Sequence, residues 1–211
     1  MAISWIRKVK STKALTIQLY NKGSVSSSAA GAYSQAVSLF NSQFGTSKLC
    51  IEFKDQTPQS SQDAVNVNTY GVPFQTVNRN ISTGDGNTVS FKFDGTSGFG
   101  FTQQVTIQES SADKICIAHI FVPTQVNLGT DMDQGLLKYL IFHELVHACG
   151  LEDSDHTIVD IFQKPLPSGV PQTVPNPLLA QQTVDKVKRL WCDRRVTLNV
   201  DSRPHDDKAT A

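Results

Sequence analysis

The stretch His143-Glu144-Leu145-Val146-His147-Ala148-Cys149-Gly150 constrains this chain more than any other. It follows a segment, Asp131 to Phe142, whose composition suits a helix. Side chains four apart on a helix lie on one face, so His143 and His147 are placed to share one metal ion. Glu144 lies about 100° further round the helix, where it reaches a metal-bound water rather than the metal. Two neutral imidazoles suit zinc, and a catalytic zinc site takes a third protein ligand and leaves one position open. Gly150 predicts a left-handed stop that ends the helix and turns the chain back. That reversal makes Leu151-Glu152-Asp153-Ser154-Asp155-His156 the source of the third ligand.

A bare H-E-x-x-H pattern fixes three positions, and a surface helix turn also satisfies it. The surroundings argue for a buried helix instead. Leu136, Leu137, Leu140, Ile141, Phe142, Leu145, Val146 and Ala148 make the segment apolar on nearly all sides. Two histidines and a glutamate in such a helix need partners, and a metal supplies them.

The chain has 211 residues, enough for one domain, or for one domain with a small subdomain. Lys and Arg together number 19, as do Asp and Glu, so the formal net charge is zero. Neither a basic field for nucleic acid nor an acidic field for a basic partner is expected. No apolar run approaches a membrane span. Met1 to Lys10 carries charge without an apolar stretch behind it, so no signal peptide is expected. The expectation is a cytoplasmic, virion-associated or unconventionally exported protein, or a mature or recombinant form. Cys50, Cys116, Cys149 and Cys192 form no C-x-x-C pair, which argues against a cysteine zinc site. A Cys149–Cys192 bridge is one option, but reduced thiols are expected without a secretory context.

Ala14 to Tyr20 alternates apolar and polar residues, as a half-buried strand does. Ala29, Tyr33, Ala36, Phe40 and Phe44 recur at helical spacing before Gly45, and serines up to Ser28 offer caps. Leu49 to Phe53 reads as a second strand, and strand–helix–strand predicts a parallel crossover. Gln56 to Thr88 is rich in Ser, Asn, Gln and Thr and reads as a long loop with one short strand near Ala64 to Val67. Val89 to Phe93, Gln104 to Gln108 and Ile115 to Val122 read as further strands, the last of them preceding the histidine helix. His119 in that strand reads as a packed or hydrogen-bonded side chain. Prolines from Pro165 to Pro177 break regular structure, and Asn176 with Pro177 predicts the start of a last helix. The polar end, 193–211, reads as a frayed tail with one alternating piece, Val196 to Val200.

This order of elements resembles the metzincin metalloproteases, over about Ala14 to Cys192, and His143 to Leu151 carries the likeness most strongly. The resemblance implies an α+β fold of zincin/metzincin type: a twisted mixed sheet packed on helices, an active-site helix and a small C-terminal helical subdomain. It implies one catalytic domain over residues 1–192, divided near Gly150. The family pattern puts the third zinc ligand six residues after the second histidine, which is Asp153 here, as in the snapalysin type. His156 stands nine residues after His147, and imidazole is the commoner ligand. His156 is therefore expected as the third ligand, with Asp153 as the alternate. Metzincins also carry a methionine in a tight turn beneath the zinc. Here only Met1 and Met132 exist, and comparison with the matrixin branch puts Ile161 in that place. Asp160-Ile161-Phe162 is then the expected floor of the site. No tyrosine follows Tyr139, so none comes from the C-terminal part to serve as ligand or oxyanion donor.

The resemblance implies a zinc-dependent endopeptidase acting on protein or peptide, with zinc on His143, His147 and His156 and Glu144 as general base. Ile115 to Val122 would pair with an extended substrate by strand addition, and the loop from Lys164 to Asn176 would wall the pocket. The alternatives are a non-catalytic metzincin-like structural or binding module, for instance on a virus particle, and a zinc hydrolase acting on another substrate such as cell-wall peptide. Neither nucleic acid nor membrane is an expected partner.

Overall fold

The computed structural model describes residues 2–20, 24–45, 49–57, 65–75, 77–82, 88–94, 100–152, 162 and 174–192. Over these residues the fold is α+β. Helix α1 (Arg7–Thr12) leads into strand β1 (Ala14–Leu19), helix α2 (Ser27–Phe44) and strand β2 (Glu52–Asp55). Strands β3 (Val67–Val72), β4 (Arg79–Ser82), β5 (Thr88–Phe91), β6 (Phe101–Glu109) and β7 (Ala112–Pro123) follow. Two short strands, β8 (Gln125–Asn127) and β9 (Thr130–Asp131), precede α3 (Gln134–Ala148), and α4 (Gln181–Trp191) closes the described chain. Among the described residues no helix is long and apolar enough to cross a membrane.

The main sheet has five strands in the order β2-β1-β3-β7-β6. The first four run parallel, and β6 is antiparallel to β7. The mixed sheet and the parallel crossover from β1 through α2 to β2 agree with the sequence pattern. Ser26 caps α2 by accepting from the Ala29 amide, and Gly45 ends it.

Two sequence expectations give way in the sheet. The stretch read as loop contains β3, the central strand, with all six residues buried. A strand covered on both faces usually reads as an apolar run. Here Asn68 and Thr69 interrupt it, and the cost of burying Asn68 is offset by Gln18, whose Nε2 donates to Asn68 Oδ1 at 2.7 Å. The strand expected over Leu49 to Phe53 starts only at Glu52. Cys50 lies in the left-handed region (φ 59°), which no regular strand tolerates.

The helices pack on one sheet face. Leu15, Ile17, Leu19, Val67, Ile120 and Val122 join the buried faces of α2 and α3 in one core. Phe142 of α3 sits between Phe40 and Phe44 of α2, with ring centroids 5.6 and 6.0 Å away. On the other face a row of rings crosses the strands. Tyr70 stacks on Phe121 and Phe121 on Phe101, each at 4.8 Å, and Phe91 and Phe93 pack over them. His119 is buried beside this row, its Nδ1 3.4 Å from the Tyr70 hydroxyl, a packed side chain as expected.

The cysteines are not all reduced, and Cys149 is not bridged to Cys192. Cys50 pairs with Cys192, with Cα atoms 5.3 Å apart, while Cys116 and Cys149 are not in a disulfide. Sequence could not join them, because 142 residues separate the pair. Cys149 is completely buried, and burial pushes its thiol far up, so it is inert. The last helix also begins later than expected. Its N-cap is Ala180, and Asn176 instead accepts from Lys138 Nζ at 2.7 Å. The alternating piece in the C-terminal tail lies outside the described residues.

The Cys50–Cys192 bridge fastens α4 to the start of β2 and closes a long loop, so it limits the unfolded chain more than the folded one. Replacing Cys192 with Ser should lower the free energy of unfolding by about 2–5 kcal/mol. Urea denaturation of oxidised wild type and variant checks this, and equal midpoints would show the bridge to be dispensable.

Candidate metal centre

Helix α3 is built to be buried. Asp133 caps it by accepting from the Leu136 amide at 3.0 Å, and ten of its residues, from Leu137 to Ala148, are buried. Among them are Glu144, 5% exposed, and His147, 6% exposed, while His143 is half-buried. Their places follow from the helical turn: His143 and His147 face the same way, and their Nε2 atoms are 3.1 Å apart.

That separation can be tested against a metal. At zinc–nitrogen distances of about 2.0–2.1 Å, two atoms this far apart subtend about 100° at the ion, near the tetrahedral value. The donor set fits as well. His147 Nδ1 lies 2.9 Å from the Leu151 carbonyl oxygen, which can only accept. The ring proton therefore sits on Nδ1, and Nε2 keeps its lone pair for a metal. Among the described residues no group of three His, Cys, Asp or Glu side chains is arranged to hold a metal. His156 and Asp153, the two expectations for the third place, lie outside the described residues.

Glu144 points to one side of the histidine pair. Its Oε2 accepts from Thr102 Oγ1 at 2.8 Å, so it lies against the start of β6. Gly100 borders the same carboxylate. With φ +154°, a Cβ there would stand 3.1 Å from Glu144 Oε1 and 3.1 Å from the Phe121 carbonyl oxygen. Below the pair, Phe162 packs 6.1 Å from the His143 ring and 4.3 Å from Tyr139, measured between centroids. Of the expected floor, Phe162 is in contact with the histidine, and Asp160 and Ile161 lie outside the described residues.

The end of α3 carries most of what sequence reading missed. Cys149 is the C-cap and Gly150 follows with φ +111°, so the expected glycine stop is present. A Cβ on Gly150 would collide with the Ile3 carbonyl oxygen. The carbonyls at this helix end are met one after another by donors from elsewhere in the chain. Gln104 Nε2 donates to His147 O at 2.9 Å and Trp5 Nε1 donates to Ala148 O at 2.8 Å. Trp191 Nε1 reaches Cys149 O at 2.8 Å, and the Ile3 amide reaches Gly150 O at 2.8 Å. Both tryptophans of the chain are used in this way. Trp191 stands at the end of the last helix, and Trp5 stands in a segment with no periodic pattern. Their only signal is rarity, because indole N–H groups that are buried need acceptors.

No family model matches this chain, and no curated protein matches it.

Replacing Gly150 with Ala forces a side chain into positive φ and onto the Ile3 carbonyl. The variant should lose about 3 kcal/mol of stability, because the turn that follows His147 is displaced. Chemical denaturation measures this, and an unchanged midpoint would contradict the tight approach at this turn.

Proposed function

We propose that the chain is a zinc-dependent endopeptidase of metzincin type, with a single domain over residues 1–192 and a polar tail at 193–211. The observation that carries this reading is the pair of Nε2 atoms 3.1 Å apart, with a buried carboxylate from the adjacent residue held to one side. A dead scaffold would have no use for a desolvated glutamate at the residue next to the first histidine. His143 and His147 hold the metal, and His156 supplies the third ligand, with Asp153 as the alternate. Zinc held by these residues would supply Lewis-acid chemistry, lowering the pKa of a water and polarising a carbonyl. Glu144 takes the proton of the attacking water and passes it to the leaving amine. Thr102 Oγ1 donates to Oε2 of this carboxylate and so helps to hold it in place.

The substrate strand needs one correction. Ile115 to Val122 lies in β7, which is paired on both sides, with β3 and with β6, so it offers no edge to a peptide. Strand β6 is the edge of the sheet, and its first residues lie against Glu144. An extended peptide added to β6 would pass beside the general base, with backbone hydrogen bonds supplying affinity. The loop from Lys164 to Asn176 is kept as the pocket wall of this reading. Protein or peptide is the substrate class, and neither nucleic acid nor membrane is needed.

Glu144→Gln should reduce hydrolysis of an unfolded protein substrate by about 10²–10⁴-fold while zinc content stays unchanged. Removing the metal with a chelator should abolish hydrolysis, and adding zinc should restore it. Equal rates for the wild type and the Gln variant would sink the mechanism. Full zinc loading with no cleavage of a broad peptide library would favour a binding module.

A further inference from the structure

Two side chains of β6 reach the helix that carries the histidines. The strand alternates, so Phe101 turns to the aromatic row while Thr102 and Gln104 turn together towards α3. Each touches a different part of the centre.

Thr102 Oγ1 stands 2.8 Å from Glu144 Oε2 and 3.3 Å from the Glu144 carbonyl oxygen. A hydroxyl has one hydrogen, and the shorter bond to a charged acceptor takes it. Gly100, two residues earlier on the same side of the strand, leaves room for Oε1. The carboxylate is thereby bracketed, with Oε2 bonded to Thr102 and Oε1 close to a residue without a side chain. An unrestrained glutamate would spread over several rotamers at an entropic cost to any step that needs one of them.

Gln104 works on the second histidine. Its Nε2 donates to His147 O at 2.9 Å and to Leu151 O at 3.4 Å, and an amide nitrogen has a hydrogen for each. The Leu151 carbonyl is also the acceptor for His147 Nδ1. A closed loop results: the amide holds the carbonyl, the carbonyl fixes the ring, and the ring aims Nε2.

We propose that Thr102 and Gln104 are positioning residues, Thr102 aiming the Glu144 carboxylate and Gln104 orienting His147 through the Leu151 carbonyl. This rests on the metal-site reading given above. It also makes one strand responsible for two tasks, since the edge that would receive substrate is the element that aligns base and ligand.

The test uses the full chain and does not depend on cleavage. Zinc affinity is measured by chelator competition, the site is read by the absorption of the cobalt(II) protein, and the folding of the metal-free protein is followed by thermal unfolding. Gln104→Leu and Gln104→Glu should both bind zinc about tenfold more weakly and shift the cobalt bands. The glutamate variant keeps the shape but has no hydrogen to donate, so equal losses assign the effect to the donor. Thr102→Val should bind zinc as the wild type does, yet hold acetohydroxamate on the zinc protein about tenfold more weakly, because the ligand's proton then meets a misaligned carboxylate. Thr102→Ser should recover most of that loss. Wild-type affinities in the Gln104 variants, or losses matched by a fall in metal-free stability, overturn the Gln104 role. Unchanged hydroxamate binding in Thr102→Val, or no recovery in Thr102→Ser, overturns the Thr102 role. A wild type that takes up no zinc instead defeats the function proposed above, and this inference with it.

Discussion

The termination of α3 is the constraint on which the rest of this structure depends. A helix that ends inside a protein leaves carbonyls that water cannot reach, and each must find a donor or cost the fold free energy. Here the donors come from the N-terminal segment (Ile3, Trp5), the edge strand (Gln104) and the last helix (Trp191). Distant parts of the chain therefore meet at the point where the chain reverses after Gly150. The histidine pair lies within two turns of that point, so its geometry is inherited from the way the fold closes.

The disulfide belongs to the same arrangement. Cys192 directly follows Trp191, and Cys50 lies ahead of β2. The bridge ties α4 to the body of the sheet and keeps the indole on the Cys149 carbonyl. Helix α2 supports α3 from the other side through the Phe40, Phe44 and Phe142 rings. Backed by α2, closed at its end and bordered by β6, α3 has little freedom to rotate, so the two histidines stay side by side.

Sheet order then decides what lies beside the site. Reversal of direction in the β6–β7 hairpin makes β6 both the edge and the neighbour of Glu144. An internal strand in that position would have sealed the carboxylate behind its own hydrogen bonds. The aromatic row on the opposite face holds the start of β6 in place, since Phe101 stacks on Phe121 while Thr102 faces α3. One strand thus carries apolar anchorage on one side and polar alignment on the other.

The sequence by itself determined what local rules can express. Four-residue spacing puts two imidazoles on one face, an all-round apolar composition buries the helix, and a glycine marks its end; each of these is present in α3. The strand–helix–strand start and the strands over β5, β6 and β7 were likewise legible from period and turn residues. Tertiary structure alone decided the remainder. Strand β3 reads as loop because its buried Asn68 accepts from Gln18, which is 50 residues away in the chain. The Cys50–Cys192 pairing, the edge position of β6 and the donors from Trp5, Gln104 and Trp191 rest on groups far apart in the chain. Periodicity reports which way a side chain points, but the partner that it meets is set by the path of the whole chain.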